Sequence, residues 1–456
     1  MTAPTARPVA AHLGALGTAL LTGVRILGGT PTNMLIHDGV ITALTPSDDA
    51  PRTTCRIDSE GLVMLPAFVD LHTHLREPGD EDSETIASGT LAAAAGGYSD
   101  VFAMANCDPV TDTPERVAHI ARTAAAGGAC RVHPVGAVTQ ALAGRRPAPL
   151  AAMARAGARL FSDDGHCVDD PALLRGALQQ ALTAGAVVAQ HAQCASIAGD
   201  GQINAGTAAR TTGLAPWPPA AEESIIARDV VLAGETGAPL HICHLSTAGS
   251  VEIVRWAKAR GWPVTAEAAP HHLLLDDTSA ATGDTLFKVN PPLRGAADVT
   301  ALRAALTDGT IDAVATDHAP HPAHRKAADW CHAPFGMLGL ETALAVVADV
   351  LDSPRGPDWP LVAQLMAHRP ARIGGIDAFA GRPLAVGEPA TFTLVDPQAD
   401  WTVVPDESHS LSRNTPYRAR TFRHRPVATV VTGRVTADRT GLLAPAAAAS
   451  QSHAHR

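Results

Sequence analysis

Through the middle of the chain, short apolar, β-branched runs alternate with longer Ala-rich stretches. The short runs are "AFVDLHTH" (67–74), "YSDVFAMAN" (98–106), "CRVHPVGAV" (130–138), "ARLFSDD" (158–164), "AVVAQHA" (186–192), "APLHICHLS" (238–246), "PVTAEAAPHH" (263–272) and "IDAVATDHA" (311–319). Each has the length and composition of a buried strand. The stretches 84–96, 114–127, 171–185, 220–236, 247–260 and 298–307 read as helices, with Ser246 and Asp298 as candidate caps. Eight strand–helix units predict an α/β chain folded as a (β/α)8 TIM barrel. An open doubly wound sheet is the alternative, but no GxGxxG turn follows the first strand.

The two ends follow a different pattern. Residues 20–65 contain "GVRILGGTPTNMLIHDGVITALTP", strand alternation broken by HDG as a turn signal, and 383–440 contain "EPATFTLVDP" and "PVATVVTGRVTADR". Neither end carries the strand–helix rhythm. The expected architecture is a barrel over 66–380 beside a small β-domain formed by the two chain ends, 1–65 and 381–445. A disordered tail, 446–456, follows, its low-complexity bias setting in near 442. His453 and His455 repeat an HxH spacing there without rigid support.

Composition narrows the class. A hydrophobic content of 46% with 18% charged residues is that of an ordinary globular protein. A net charge of −10 argues against nucleic acid as a partner. No apolar run reaches the roughly 18–20 residues of a membrane span. The apolar N-terminal stretch is interrupted by His12 and runs into "VRILGG", which does not read as a signal peptide. The seven cysteines are scattered without a CxxC pair, so neither a zinc ribbon nor a disulfide framework is indicated. A cytoplasmic protein with reduced thiols is expected. Lysine occurs only at 258, 288 and 326.

The chemistry gathers where the predicted strands end. The first strand brings His72, His74 and Arg76, the second Asn106, the fourth Asp163 and Asp164, the fifth His191 and the sixth His244. The seventh brings His271 and His272, and the eighth Asp317, His318 and His321. Barrel active sites are built on that face. In "VDLHTHLREPGDED" (69–82), alternate positions share a strand face, so His72 and His74 converge as two ligands of one metal would. Arg76, a cation, more naturally meets an anion. Buried imidazoles and carboxylates cost free energy unless they are paired or bind metal. This donor set suits Zn²⁺. Four imidazoles and two carboxylates exceed the needs of one tetrahedral zinc, whereas two metals sharing a bridging carboxylate use them all. Such a site lowers the pKa of a hydroxide and polarises a carbonyl, and Asp317 can shuttle the proton. Local spacing leaves open whether Asp163 or Asp164 bridges.

HxH on the first strand, histidines on the fifth and sixth and an aspartate on the eighth resemble the amidohydrolase pattern. Within it, "DLHTHLREPG", "FSDDG", "HICHLST", "AEAAPHHL", "KVNPPLR", "ATDHAPH" and "APFGMLGLET" are similar to class I dihydroorotases, over about residues 20–440. The resemblance implies reversible cyclisation of N-carbamoyl-L-aspartate to dihydroorotate in pyrimidine synthesis, with two Zn²⁺ per subunit. It implies that His72, His74 and Asp317 hold one metal, that His191 and His244 hold the other, and that Asp164 bridges them. Asp317 is the implied catalytic acid/base. Arg76 and Asn106 would bind the substrate carboxylate, with His74, Asn290, His321, Phe335 and Gly336 as further substrate contacts. Region 321–336 resembles the loop that closes over substrate. His271 and His272 have no metal role in the resemblance. The chain departs from the pattern at Ala105 and Cys107, which flank Asn106.

Hydantoinases and allantoinases share the fold and HxH but bridge their metals with a carboxylated lysine on the fourth strand. No lysine precedes Lys258 here. Arg76 also answers a free substrate carboxylate, which neutral hydantoins lack. A catalytically inactive scaffold relative would typically have lost ligands, and every ligand position is filled. The expected partners are a small-molecule substrate and other copies of the chain, without nucleic acid or membrane. Association with aspartate carbamoyltransferase is left open.

Overall fold

The structure is a computed structural model that describes residues 14–45 and 54–444. Eight parallel strands follow one another along its middle: Phe68–Thr73, Tyr98–Ala103, Arg131–Pro134, Leu160–Phe161, Val187–Gln190, Leu240–Ile242, Val264–Ala268 and Ala313–Val314. The first three form one parallel sheet and the other five a second, each strand paired with its successor. Two isolated parallel bridges join the sheets. Gly136 meets Phe161 between the third and fourth strands, and Thr73 meets His318, just past the eighth.

Helices alternate with these strands, and Pro171–Ala184 shows why. Asp170 accepts from the Ala172 and Leu173 amides, Pro171 supplies a preset φ in the first turn, and Gly185 ends the helix at φ 66°. Its buried residues Leu174, Ala177, Leu178 and Ala181 fall on one face. Leu174 and Leu178 are fully buried and contribute about 2 kcal/mol each. A second apolar cluster takes Val69, Leu71, Phe102, Leu160, Ala189 and Ala313 from the strands and closes on Ala371, Ile376 and Ala380.

The chain ends share one mostly antiparallel sheet, ordered Arg434–Asp438, Arg425–Val431, Phe392–Asp396, Val63–Pro66, Thr18–Ile26, Pro31–His37 and Val40–Thr45. Cys55–Asp58 adds in parallel to Thr18–Ile26. The HDG signal is the expected hairpin: Asp38 and Gly39 both have positive φ, 47° and 78°. One hydrophobic cluster draws Leu21, Met34, Ile41, Phe392, Val430 and Val435 from both ends.

Several expectations are corrected. The seventh strand stops at Ala268, and Pro270 opens a short helix, Pro270–Leu274, so His271 and His272 sit on a helical turn. Proline fits a helix's first turn and cannot donate to a sheet. Neither Ser246 nor Asp298 caps the helix assigned to it. Thr247 caps Ala248–Ala259, while the Ser246 hydroxyl donates to Glu222. Helix Ala296–Asp308 begins after Gly295, and Asp298 in its first turn accepts instead from the Ala248 amide of the neighbouring helix. Within the low-complexity run near 442, Leu443 is fully buried in the end-sheet core. The tail 446–456, with His453 and His455, lies outside the described residues. All seven cysteines are free. Among the described residues no helix is long and apolar enough to cross a membrane.

Candidate functional site

The site lies where the parallel strands end. His72 is in the first strand and His74 one residue past it, beyond a register shift between Asp70 and Thr73. Their rings still converge, with centroids 5.2 Å apart. Asp70 fixes this end. Fully buried, it accepts from the Thr73 hydroxyl at 2.6 Å and the Thr316 amide at 2.8 Å, tying the first strand to the segment that carries Asp317.

Hydrogen bonds on the far side of His72, His74 and His191 select the nitrogen that faces the centre. His72 Nδ1 donates to Glu267 Oε1 at 3.1 Å, His74 Nδ1 to Asn106 Oδ1 at 2.9 Å, and His191 Nε2 to Gln193 Oε1 at 2.8 Å. The opposite nitrogens close on Asp164. Its carboxylate lies 3.2 Å from His72 Nε2, 3.4 Å from His74 Nε2, 3.2 Å from His191 Nδ1 and 3.5 Å from His244 Nε2. Burial opposes charge on Asp164, but His72, His191 and His244 outweigh it and hold the carboxyl well below its usual range. Asp317 Oδ1 approaches His74 Nε2 at 3.3 Å and His72 Nε2 at 3.6 Å. Burial would raise its pKa too, and His74, His72 and His244 lower it instead.

These contacts separate the two aspartates that local spacing left open. Asp163 turns away and accepts from the Val138 and Thr139 amides at 2.8 and 2.9 Å. Asp164 is the one brought among the imidazoles.

The donor set fits a metal. His72 Nε2 and Asp164 Oδ1 are buried with no hydrogen-bond partner, a cost of about 1–3 kcal/mol each unless a ligand satisfies them. His191 Nδ1 and His244 Nε2 stand 2.9 Å apart, which asks for a proton or a cation between them. Close donor groups among the described residues include His72–Asp164–His244 and His72–His74–Asp317, all buried. Backbone strain marks the same place: Arg76, His244 and Asp317 have φ of 60°, 31° and 48°, a region worth about 1–3 kcal/mol of strain for residues other than glycine.

The other expected contacts surround this centre. Arg76 is half-buried. Its Nε donates to the Pro320 carbonyl at 3.3 Å, its Nη2 lies 3.4 Å from His321 Nε2, and no carboxylate among the described residues pairs with it. Asn290 Nδ2 donates to Gln193 at 3.0 Å, and its Oδ1 is buried without a partner. His321 Nε2 donates to the Phe335 carbonyl at 2.8 Å, which brings Phe335 and Gly336 alongside. His271 Nε2 is 4.0 Å from Asp317 Oδ2, and His272 Nε2 donates to the Pro291 carbonyl.

Sequence reasoning missed Glu267 and Gln193, which orient His72 and His191. Glu267 is fully buried and also accepts from His241 Nε2 at 3.0 Å. Burial works against its charge, but His241 and His72 prevail and pull its carboxyl down to about 2. Its signal was available: a lone acid inside the apolar strand Val264–Ala268.

Comparison with known proteins agrees with the geometry. A family model described as dihydro-orotase-like matches residues 61–250. The dihydroorotase of Streptomyces coelicolor is 50% identical over 92% of this chain and 98% of its own. That of Mycobacterium tuberculosis is 49% identical over 92% and 98%. Among solved structures, an L-hydantoinase (dihydropyrimidinase) from Arthrobacter aurescens superposes with a TM-score of 0.81 over 92% of this chain and 96% of that one. At 24% identity it shows a shared fold.

Proposed function

The chain belongs to the dihydroorotase family of the amidohydrolase superfamily, and from that premise we propose how its own residues carry the reaction. The reaction is the reversible cyclisation of N-carbamoyl-L-aspartate to (S)-dihydroorotate and water in pyrimidine synthesis. The parallel strands are read as a closed (β/α)8 barrel over 66–380. The two bridges between their sheets and the hydantoinase likeness support this. Segments 1–65 and 381–445 are taken as the two parts of one β-domain.

The observation that carries the site assignment is Asp164 ringed by ring nitrogens of His72, His74, His191 and His244 at 3.2–3.5 Å. His72, His74 and Asp317 would hold one Zn²⁺, His191 and His244 a second, with Asp164 between them. Bound there, the ions supply an acidified water and a polarised carbonyl. Arg76, with Asn106 and His74 beside it, binds the α-carboxylate that takes no part in ring closure. Asn290, His321 and the Phe335–Gly336 backbone position the ureido end. In the hydrolytic direction Asp317 takes the proton of the attacking water and returns it to the ring nitrogen as the C–N bond breaks. In cyclisation it takes the ureido proton and delivers it to the departing oxygen. The fourth strand offers "FSDDG" and no lysine, so the bridge needs no carboxylation.

Purified protein should interconvert the two substrates, with two zinc ions per chain by elemental analysis. After chelation, Zn²⁺ alone should restore activity in CO₂-depleted buffer, and Asp164→Ala should lose one metal first. Reactivation that requires bicarbonate would overturn the bridge. A homo-oligomer, association with aspartate carbamoyltransferase and a cytoplasmic location complete the proposal. Sedimentation of the chain alone and mixed with the transcarbamoylase tests the first two.

A further inference from the structure

We propose that Asn414 is a positioning residue for the substrate side of the site: its carboxamide clamps the two ends of segment 319–337 together and so sets where His321 and Gly336 meet the substrate. The inference rests on the reading of those two residues as substrate contacts.

Asn414 arrives on "SLSRN" (410–414), a strap hydrogen-bonded to the segments that follow the first and eighth strands. The Ser410 hydroxyl and the Leu411 amide donate to Glu84, the latter at 3.0 Å, and Glu84 also accepts from His318 Nε2 at 3.3 Å. The Ser412 hydroxyl donates to the Ser83 carbonyl at 2.6 Å. Asn414 itself is 2% exposed. Its Oδ1 accepts from the His321 amide at 3.0 Å, and its Nδ2 donates to the carbonyls of Ala319 at 3.0 Å and Gly336 at 3.2 Å. One partner is a donor and two are acceptors, so the carboxamide has a single orientation that satisfies all three.

The two loop ends are already in contact. Gly336 has φ +130°, and a Cβ there would lie 2.6 Å from that of Ala319 and 3.1 Å from His321 Nε2. The Gly336 carbonyl takes a second donor, Lys326 Nζ, at 3.0 Å. His321 Nδ1 is left buried with no partner, an acceptor available to a substrate N–H. Every side-chain hydrogen bond of Asn414 thus ends on the backbone of a loop that carries three substrate contacts, His321, Phe335 and Gly336. Asn414 touches no metal ligand, so its effect should fall on binding.

The test is a double-mutant cycle on metallated enzyme, with KM and kcat measured separately. Asn414→Ala should raise KM for dihydroorotate about tenfold, the scale of one lost hydrogen bond, with kcat within about threefold. Asn414→Asp keeps the volume and the bond to His321 but cannot donate to the two carbonyls. It should show the same split, and it carries the comparison if Asn414→Ala does not fold. Because Asn414 acts through His321, adding Asn414→Ala to His321→Ala should cost clearly less than tenfold. Asn414 variants at the parental KM beside a defective His321→Ala overturn the inference and leave the substrate reading standing. So do effects that multiply in full, or losses confined to kcat and metal content. A His321→Ala enzyme at the parental KM overturns both.

Discussion

Two clusters of ionisable side chains lie on different members of the same set of parallel strands and are built on opposite terms. Near the N-terminal ends of the second and third strands, Asp100 is fully buried yet saturated. Arg131 donates to both its oxygens at 2.7 Å, His133 donates at 2.9 Å and the Ser99 hydroxyl at 2.7 Å. At the C-terminal ends, His72 Nε2 and Asp164 Oδ1 are buried without a hydrogen-bond partner, and the backbone of neighbouring Arg76, His244 and Asp317 is held at positive φ. The first cluster is closed and stabilises. The second is left open, which is what the metal site proposed above requires. A buried polar cluster is therefore read by what it leaves unpaired.

Breaking the open cluster should have the largest consequence. Asp317→Asn in fully metallated protein should lower kcat by ~10²–10⁴ in both directions, with thermal stability little changed. Turnover near the parental rate would move the base elsewhere. Next in size is the anion contact at its rim. Arg76→Met should cost about 2–5 kcal/mol in binding carbamoyl aspartate and much less for an analogue without the α-carboxylate. Equal losses would make Arg76 structural.

The closed cluster should respond in stability alone. Asp100→Ala strands a guanidinium and should cost about 3 kcal/mol in urea unfolding, the low end for a broken buried pair because the Arg131 side chain is 32% exposed. KM of the folded fraction should not move, and a changed KM would end the contrast. The smallest effect is on acid stability. Burial would raise the Asp100 pKa, but Arg131 and His133 hold it below the ordinary 3.8. Its contribution is complete above that value and is lost as pH falls through the lower, folded one. Asp100→Asn should therefore flatten the decline in stability below about pH 4, seen in urea titrations at stepped pH.

Much of this was legible from local pattern. Helices at 114–127 and 220–236 fall where the Ala-rich stretches between the apolar runs place them. The convergence of His72 and His74 follows from a period of two. Local rules failed where a neighbour in space outcompeted one in sequence. Asp298 looks like the cap of its own helix and serves Ala248 on another. Asp163 and Asp164 are equivalent in "FSDDG" and are told apart by the Val138 and Thr139 amides, which only the fold delivers. Asn414 acts only on residues far away in the chain, so nothing adjacent to it announces a role, whereas Glu267 stands out as a lone acid in an apolar strand and Gln193 lies two residues from the His191 it orients.

The sheet made from both chain ends also sets a timetable for synthesis. Val63–Pro66 sits just ahead of the strand that carries His72, and one of its edges pairs with Thr18–Ile26, a strand already synthesised when it emerges. Its other edge waits for Phe392–Asp396, with Leu65 opposite Thr393. At ordinary elongation rates that delay is on the order of tens of seconds. Through it, a run of Val63, Met64 and Leu65 that ends up fully covered is bare along one side, the kind of edge on which nascent chains aggregate. A chain stalled before Phe392 would hold every metal-ligand candidate of the site and still lack the strand that seals its foundation, so the last seventh of the message decides when that edge is covered.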